Sequence, residues 1–245
     1  MPAYYRAPLH QFVQESASSV LWKLTVENGI AQFQLAPEAI EAWRLQLPTL
    51  MNGCAELMAA VPTAAGYELL LEYPIPRVGK RIDAVLLMNE VIVAIEIKTG
   101  YAPSAAERQV DDYAIYLVCF HEPSGGRTIV PLVISDGHIA SGGVRPFADE
   151  VIRPCRIAST VNVGQTLISI EHENCKSGVK TINADAWGRG RFRPIPPNSK
   201  PRSRYRGSST PVRKTSEPSL RMTAVLPGRR TTAGPSAPRF ARRSG

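Results

Sequence analysis

Two carboxylates and a lysine are spaced in this chain as a metal-dependent hydrolase would require. Asp83 lies in one short apolar segment, and Glu96 and Lys98 lie in the next. Both segments are rich in aliphatic and β-branched residues, which predicts two strands, and the short break between them predicts a hairpin. If Asn89 and Glu90 are the two turn residues, Asp83 stands directly opposite Glu96, whereas a longer turn would shift the register.

The facing carboxylates need a compensating positive charge. Like charges opposite each other on paired strands repel, and burying a carboxylate against a sheet is more unfavourable still. A divalent cation is the natural partner because hard cations bind carboxylate oxygens. Glu96 and Lys98 project from one face of a strand, and the apolar run 91–95 before them indicates a central strand. The alternative interpretation is an amphipathic hairpin whose polar residues face water.

A helix predicted over residues 104–119 adds an amide and a phenol. Gln109 and Tyr113 are four residues apart, so they share one helical face, next to the apolar stripe of that helix. Beside a carboxylate pair, these groups would suit a nucleic-acid backbone or a metal-bound water. The alternative is a half-buried tyrosine with a polar neighbour.

These residues form one spaced pattern: Asp83, Glu96-Ile97-Lys98 and Gln109-x-x-x-Tyr113. The pattern resembles the PD-(D/E)XK nuclease superfamily, and its Gln-x-x-x-Tyr element resembles the RecB-like branch. Residues 71–76, followed by Arg81-Ile82-Asp83, are similar to the N-terminal nuclease-type region of bacterial DUF2075 (Schlafen group 3-like) helicase proteins. The resemblance covers about residues 1–195. It leaves two candidates, Glu56 and Glu72, for the first acidic position of the family.

The resemblance implies an α/β fold with a restriction-endonuclease-like core, in which a mixed central sheet is flanked by helices in the order αβββαβ. The sequence patterns agree with that order. They predict a helix over 37–60 that Pro48 kinks or divides, a strand over 67–73, the hairpin, the helix over 104–119 and a strand over 128–135. Residues 150–171 are expected to be rich in strands.

The resemblance also implies a function, a metal-dependent nuclease that cleaves phosphodiester bonds of DNA, with RNA as a possible substrate. Asp83 and Glu96, with Glu72 as a further ligand, are then expected to bind Mg²⁺ or Mn²⁺. The metal would polarise the scissile phosphate and lower the pKa of a bound water. Lys98 is expected to hold or help deprotonate that water, or to stabilise the negative charge of the phosphorane-like transition state.

The same resemblance assigns roles around the metal. Gln109 and Tyr113 are expected to position the nucleic-acid strand or a metal-bound water. Lys80, Arg81 and Arg108 are the candidates for a local basic patch that contacts phosphates. The related helicase proteins carry an ATPase domain further along the chain, but no Gly-x-x-x-x-Gly-Lys-Ser/Thr loop occurs here. We therefore expect a chain truncated before such a domain, which leaves an ATPase or helicase as a possible partner.

Charge divides the chain into two regions. Residues 1–185 carry 14 basic and 20 acidic residues (14 − 20 = −6), and residues 186–245 carry 15 basic and one acidic residue (15 − 1 = +14). We predict a nuclease-like domain over 1–185 and a disordered tail rich in Pro, Ser and Arg over 186–245. The tail is either an electrostatic arm for nucleic acid or, as we favour, an out-of-frame or truncated product.

Other features of the sequence narrow the class of protein. Four cysteines lie at unpaired spacings, and no secretory signal or bilayer-length apolar run occurs, so we expect a cytoplasmic protein without membrane partners. Two alternatives to the nuclease stay open. The domain could be an inactive module that only binds nucleic acid, or the truncated chain could have no function.

Overall fold

The chain folds into alternating helices and strands. A computed structural model describes residues 3–30, 37–76, 79–99, 103–136, 151–176 and 181–193. The elements in chain order are β1 (Tyr5–Pro8), α1 (Leu9–Gln14), α2 (Ala17–Ile30), α3 (Pro37–Ala60), β2 (Glu68–Ile75), β3 (Lys80–Met88), β4 (Val91–Lys98), α4 (Pro103–Phe120), β5 (Ile129–Ser135), β6 (Arg156–Ala158), α5 (Val163–Asn174) and α6 (Ala184–Gly188).

One mixed sheet organises these elements. Its six strands lie in the order β1-β2-β3-β4-β5-β6. The first four strands pair antiparallel, whereas β5 runs parallel to β4 and β6 runs parallel to β5. The predicted α/β class with a helix-flanked mixed sheet is confirmed, and the elements α3-β2-β3-β4-α4-β5 follow one another as helix, three strands, helix and strand.

The hairpin between β3 and β4 has the predicted register. Met88 pairs with Val91, so Asn89 and Glu90 are the two turn residues. Asn89 has a φ of 48°, the left-handed conformation that two-residue hairpin turns require and that asparagine tolerates well. The regular pairing runs from this turn to Ala84 opposite Ile95. Continued by one residue, the same register sets Asp83 opposite Glu96.

The sheet separates two apolar cores. Alternate residues of β4 enter each of them, as expected for a strand. The first core, on the α3 and α5 side, takes Val91, Val93, Ile95 and Ile97 from β4. The second core, on the α4 side, takes Ile92 and Ala94. Residues 91–95 are all fully buried, so the prediction of a central strand covered on both faces is correct.

Two sequence predictions outside the sheet centre had different outcomes. The helix predicted over 37–60 is present, and it continues across Pro48 as one helix instead of dividing there. The expectation that residues 150–171 are rich in strands is wrong, because among the described residues 151–171 β6 is the one strand and α5 is a helix. Val163, Leu167 and Ile170 lie four and three residues apart, and all three are buried in the first core. That spacing follows the helical period, which the short β-branched runs in this region obscure.

The packed part of the chain continues beyond residue 185, the domain boundary predicted from the charge pattern. Trp187 is 1% exposed, and Phe192 forms an antiparallel bridge with His121. Disorder was predicted for residues 186–245; residues 186–193 are instead packed, and residues 194–245 lie outside the described part of the chain. Among the described helices, none is both long enough and apolar enough to span a membrane.

Candidate active site

Three carboxylates form a row across the sheet. Glu72 in β2, Asp83 in β3 and Glu96 in β4 occupy facing positions on neighbouring strands, and we call these three residues the acid row. The residue pairs on either side of Glu72 and Asp83, Leu71↔Ala84 and Tyr73↔Ile82, share one register, which sets Glu72 opposite Asp83. The β3–β4 pairing ends at Ala84 opposite Ile95, and its extension by one residue sets Asp83 opposite Glu96. Like charges at such positions repel, so the row needs compensating positive charge.

The strands change faces at the acid row. Leu71 packs into the first core and Tyr73 into the second, although residues two apart in a regular strand share a face. Ala84 and Ile82 show the same change on β3. Glu72, between the two β2 residues, has a φ of 51°. A left-handed non-glycine residue costs about 1–3 kcal/mol and persists where surrounding contacts hold it, as functional sites often do.

Glu96 is a fully buried carboxylate. Its exposure is 0%, and the charged end of Lys98 lies beside it, with Nζ 2.5 Å from Oε1. Oε2 of Glu96 has no hydrogen-bond partner among the described residues. Burial raises the pKa of Glu96, and the Glu72 charge adds to that rise, while Lys98 opposes it. A buried oxygen with an unfilled hydrogen-bonding capacity is the feature that a bound cation would satisfy.

Asp83 is fixed by the main chain of the neighbouring strand. Its Oδ2 accepts a hydrogen bond from the Ile97 amide at 2.8 Å, so the side chain occupies the donor just where the regular pairing of β3 with β4 stops. This bond brings the Asp83 carboxylate to β4. Burial and the charge of Glu96 raise the pKa of Asp83 well above its usual value, and the Ile97 amide only partly opposes that rise. The two acids therefore disfavour each other's ionisation.

Lys98 brings its ammonium group into contact with Glu96 of the acid row. Burial disfavours its charged form, but the hydrogen bond to Glu96 and the charges of Glu96 and Asp83 outweigh that effect and raise the pKa of Lys98. The side chain is therefore protonated at neutral pH. In this state it can stabilise negative charge but cannot accept a proton.

Gln109 and Tyr113 lie together on α4, as predicted. Gln109 Nε2 donates to the Tyr113 hydroxyl at 2.7 Å. Tyr113 is 1% exposed and packs in the second core, on the sheet face that also takes Ala94. Burial raises the pKa of Tyr113, and the charges of Glu96, Asp83 and Glu72 raise it further. The phenol thus remains neutral in the electrostatic field of the acid row.

The two candidates for the first acidic position have different surroundings. Both oxygens of Glu72 are already engaged, because Trp43 Nε1 donates to Oε1 at 2.7 Å and Arg81 Nε donates to Oε2 at 2.5 Å. Glu56 is exposed and packs against Gly164 at the start of α5. The structure therefore brings Glu72 to the acid row and leaves Glu56 away from it.

The predicted basic patch is divided. Arg81 pairs with Glu72, and its guanidinium lies 5.5 Å from the ring centre of Tyr4. Lys80, at the start of β3, and Arg108, on α4, are exposed. Lys80 is near enough to oppose the rise in the pKa of Glu96. Lys80 and Arg108 thus face solvent, while Arg81 neutralises an acid.

Sequence reasoning missed a buried polar network that anchors the C-terminal segment. His121 Nδ1 lies 2.8 Å from Ser124 Oγ, which also accepts a hydrogen bond from Trp187 Nε1 at 3.0 Å. His121 Nε2 lies 3.2 Å from the Tyr73 hydroxyl. Burial lowers the pKa of His121 to about 4, so its ring is neutral at pH 7. His121 and Ser124 are three residues apart, but Tyr73 and Trp187 come from two distant segments, so no sequence pattern links the whole network.

The donor set of the acid row suits a small hard cation. No group of three or more Asp, Glu, His or Cys side chains in metal-binding geometry occurs among the described residues. Asp83 and Glu96 provide two carboxylates, and the Ile97 carbonyl, which Gln46 Nε2 approaches at 3.5 Å, lies between Glu96 and Lys98 in the chain. Mg²⁺ is commonly held by one or two carboxylates and keeps several waters. Two acids and a carbonyl therefore fit Mg²⁺ better than a metal that needs a full protein cage.

Comparisons with known proteins assign no family to this arrangement. No protein-family model, curated protein or solved structure matches the chain significantly. What the site can do must therefore be argued from its own chemistry. Two mutually repelling carboxylates, a protonated lysine and a neutral tyrosine meet at the end of a buried strand, an arrangement suited to binding a divalent cation and a phosphate beside it.

Proposed function

We propose that this chain is a metal-dependent nuclease of the PD-(D/E)XK type. The observation that carries the proposal is the state of Glu96, which is fully buried, directly precedes the Ile97 amide that binds Asp83, and has an oxygen without a hydrogen-bond donor among the described residues. Evolution rarely retains such a costly group in a core without a use, and cation binding would offset its cost.

The fold supports the same proposal. The series α3-β2-β3-β4-α4-β5, with β4 antiparallel to β3 and parallel to β5, agrees with the restriction-endonuclease-like core expected from the resemblance. Within this series Asp83 lies on the second strand, β3, and Glu96 lies on the third, β4. Fold likeness alone does not give activity, so the site residues must carry the argument.

Each site residue has a role in phosphodiester hydrolysis under this proposal. Asp83 and Glu96 hold Mg²⁺ or Mn²⁺, which when bound polarises the phosphate and lowers the pKa of a coordinated water. Lys98, protonated beside Glu96, stabilises the negative charge that develops on the phosphate oxygens. Gln109 fixes the Tyr113 hydroxyl, and this neutral phenol orients a strand or a water by hydrogen bonding.

The substrate under this proposal is a nucleic-acid strand, with DNA first and RNA as the alternative. Lys80 and Arg108 are exposed and can contact phosphates, whereas Arg81 is engaged with Glu72. Residues 1–185 are net negative (14 − 20 = −6), so affinity must come from such local contacts, from the basic tail or from an ATPase or helicase partner.

The direct test is cleavage of end-labelled DNA and RNA, single- and double-stranded, by the purified full chain in Mg²⁺, Mn²⁺ or EDTA. Asp83→Asn and Glu96→Gln should each reduce cleavage by at least about 100-fold. Asp185→Asn is the matched control, because Asp185 is an exposed carboxylate paired with Arg6 on the surface. Binding of DNA by the wild type without cleavage in any metal would reject the nuclease and favour a binding module.

A further inference from the structure

Glu72 differs from the other two acids because both of its oxygens are held. Trp43, a 3% exposed residue of α3, donates to Oε1 at 2.7 Å, and Arg81 donates to Oε2 at 2.5 Å. Glu72 itself is 6% exposed. In contrast, the Lys98 ammonium contacts Oε1 of Glu96, and Oε2 has no hydrogen-bond partner among the described residues. A carboxylate already satisfied by two donors gains less from a metal than an unsatisfied one.

The two acids also face different layers. Trp43 draws the Glu72 side chain toward α3, on the side of the first core. Glu96 is two residues beyond Ala94, which packs in the second core under α4, so the regular alternation of β4 turns Glu96 to that side. Glu72 is therefore poorly oriented to share an ion with Glu96.

The position of Glu72 in the main chain indicates another role. Its left-handed conformation, with φ of 51°, lies at the point where β2 changes faces, and β3 changes faces directly opposite, at Asp83. The altered β3 lets Asp83 reach the Ile97 amide on β4 in place of regular pairing. A strained residue persists only when its surroundings hold it, and Trp43 and Arg81 are the contacts that hold this one.

We propose that Glu72 is a positioning residue and not a metal ligand: held by Trp43 and Arg81, it maintains the change of strand faces that directs Asp83 to β4 beside Glu96. The inference rests on the proposed function for the identity of the bound ion. Its structural part, the hydrogen bond between Asp83 and Ile97, is independent of any metal. This separation allows the two ideas to fail separately.

The test uses Trp43→Phe and Glu72→Gln in the full chain, with Mn²⁺ titrated by calorimetry. If Glu72 is a positioning residue, Trp43→Phe removes a support and raises the Kd for Mn²⁺ by about 10- to 100-fold. If Glu72 is a ligand, the same change frees an oxygen and leaves the affinity equal or higher. Glu72→Gln keeps an acceptor for Trp43, so its loss of affinity should be smaller than that of Asp83→Asn. Equal losses in these two variants would overturn the proposal.

Hydrogen exchange of the metal-free protein supplies the independent measurement. Trp43→Phe should speed exchange of the Ile97 amide by at least about tenfold, through local opening, while the Val93 amide in the same strand is unchanged. Trp187→Phe is the matched control, because Trp187 is also a buried indole that donates to a side-chain oxygen. Unchanged exchange at Ile97 rejects the positioning role even if the wild type binds no Mn²⁺. Should Trp43→Phe not fold, Arg81→Met removes the other contact and is judged by the same criteria.

Discussion

Replacing Glu96 by glutamine should stabilise the metal-free protein while it removes the metal response. Opposing side chains on paired strands lie roughly 5 Å apart, where two unit charges repel by about 3 kcal/mol at an effective dielectric constant of about 20. The Lys98 attraction offsets part of this, but its side chain is 36% exposed and can be hydrated, so we assign it about 1 kcal/mol. The net gain for Glu96→Gln is then about 2 kcal/mol, or a Tm about 4–8 °C higher for a domain of this size.

The pH dependence of unfolding provides a second test of this prediction. The folded-state pKa values of Asp83 and Glu96 are both raised, by burial first. Their contribution to stability is therefore complete below the unfolded pKa values, about 4, and is lost as pH rises through the folded values. Metal-free wild type should lose stability from this pair as pH rises, and Glu96→Gln should lose less.

Thermal unfolding can be followed by circular dichroism at pH 5 and pH 7.5, with and without about 5 mM Mn²⁺. These measurements report the stability of the Glu96→Gln variant, its pH dependence and its response to the metal. We expect Mn²⁺ to raise the Tm of the wild type mainly at pH 7.5 and to leave Glu96→Gln unchanged. Glu173→Gln, which alters an exposed acid paired with Arg156, is the control. A lower Tm for metal-free Glu96→Gln at pH 7.5 would refute the reasoning that this carboxylate is a destabilising group.

Three further outcomes are expected. Lys98→Met should reduce cleavage by at least about 100-fold but preserve Mn²⁺ binding, because Lys98 acts on phosphate charge; parallel loss of both in calorimetry and cleavage assays would contradict that role. Gly190→Ala should lower the free energy of unfolding in urea by about 1–3 kcal/mol, because an added Cβ would overlap Pro123 and His121. An unchanged urea midpoint would show that Pro123 and His121 move to make room for the Cβ. A chain ending at residue 193 should keep its Tm but show a smaller salt dependence of DNA binding, because 12 of the tail's 15 basic residues are removed (15 − 3 = 12); an equal salt slope would mean that the tail makes no phosphate contacts.

The hairpin could be predicted from the sequence because its signals are local. Two apolar strands and a two-residue Asn89-Glu90 turn fix the register as far as Ala84 opposite Ile95, and its extension by one residue sets Asp83 opposite Glu96. The helix that carries Gln109 and Tyr113 could also be predicted from the sequence, because its apolar stripe has the helical period over many residues.

The change of strand faces at Glu72 could not be predicted. Sequence patterns assign left-handed conformations to glycine, asparagine and aspartate in turns, and a glutamate inside a strand gives no such signal. The conformation depends on Trp43, 29 residues earlier in the chain, and on Arg81. Long-range contacts of this kind decide which acids are held and which are free.

The packing of residues 186–193 could not be predicted for a similar reason. Its charge and composition resemble those of the tail, but Trp187 and Phe192 pack against Tyr73 and His121 from distant segments. Two aromatic residues among arginines and glycines do not form a periodic pattern. Their burial therefore appears only when the partners are in place.

The central claim is that Asp83 and Glu96 form a site for a divalent cation. Calorimetric titration of the purified full chain with Mn²⁺ at neutral pH tests it most directly, with Asp83→Asn, Glu96→Gln and the surface control Asp185→Asn measured in parallel. We predict saturable binding by the wild type and the control, weakened at least about tenfold in each active-site variant. Absence of binding by the wild type, or equal binding by all four proteins, would contradict the account.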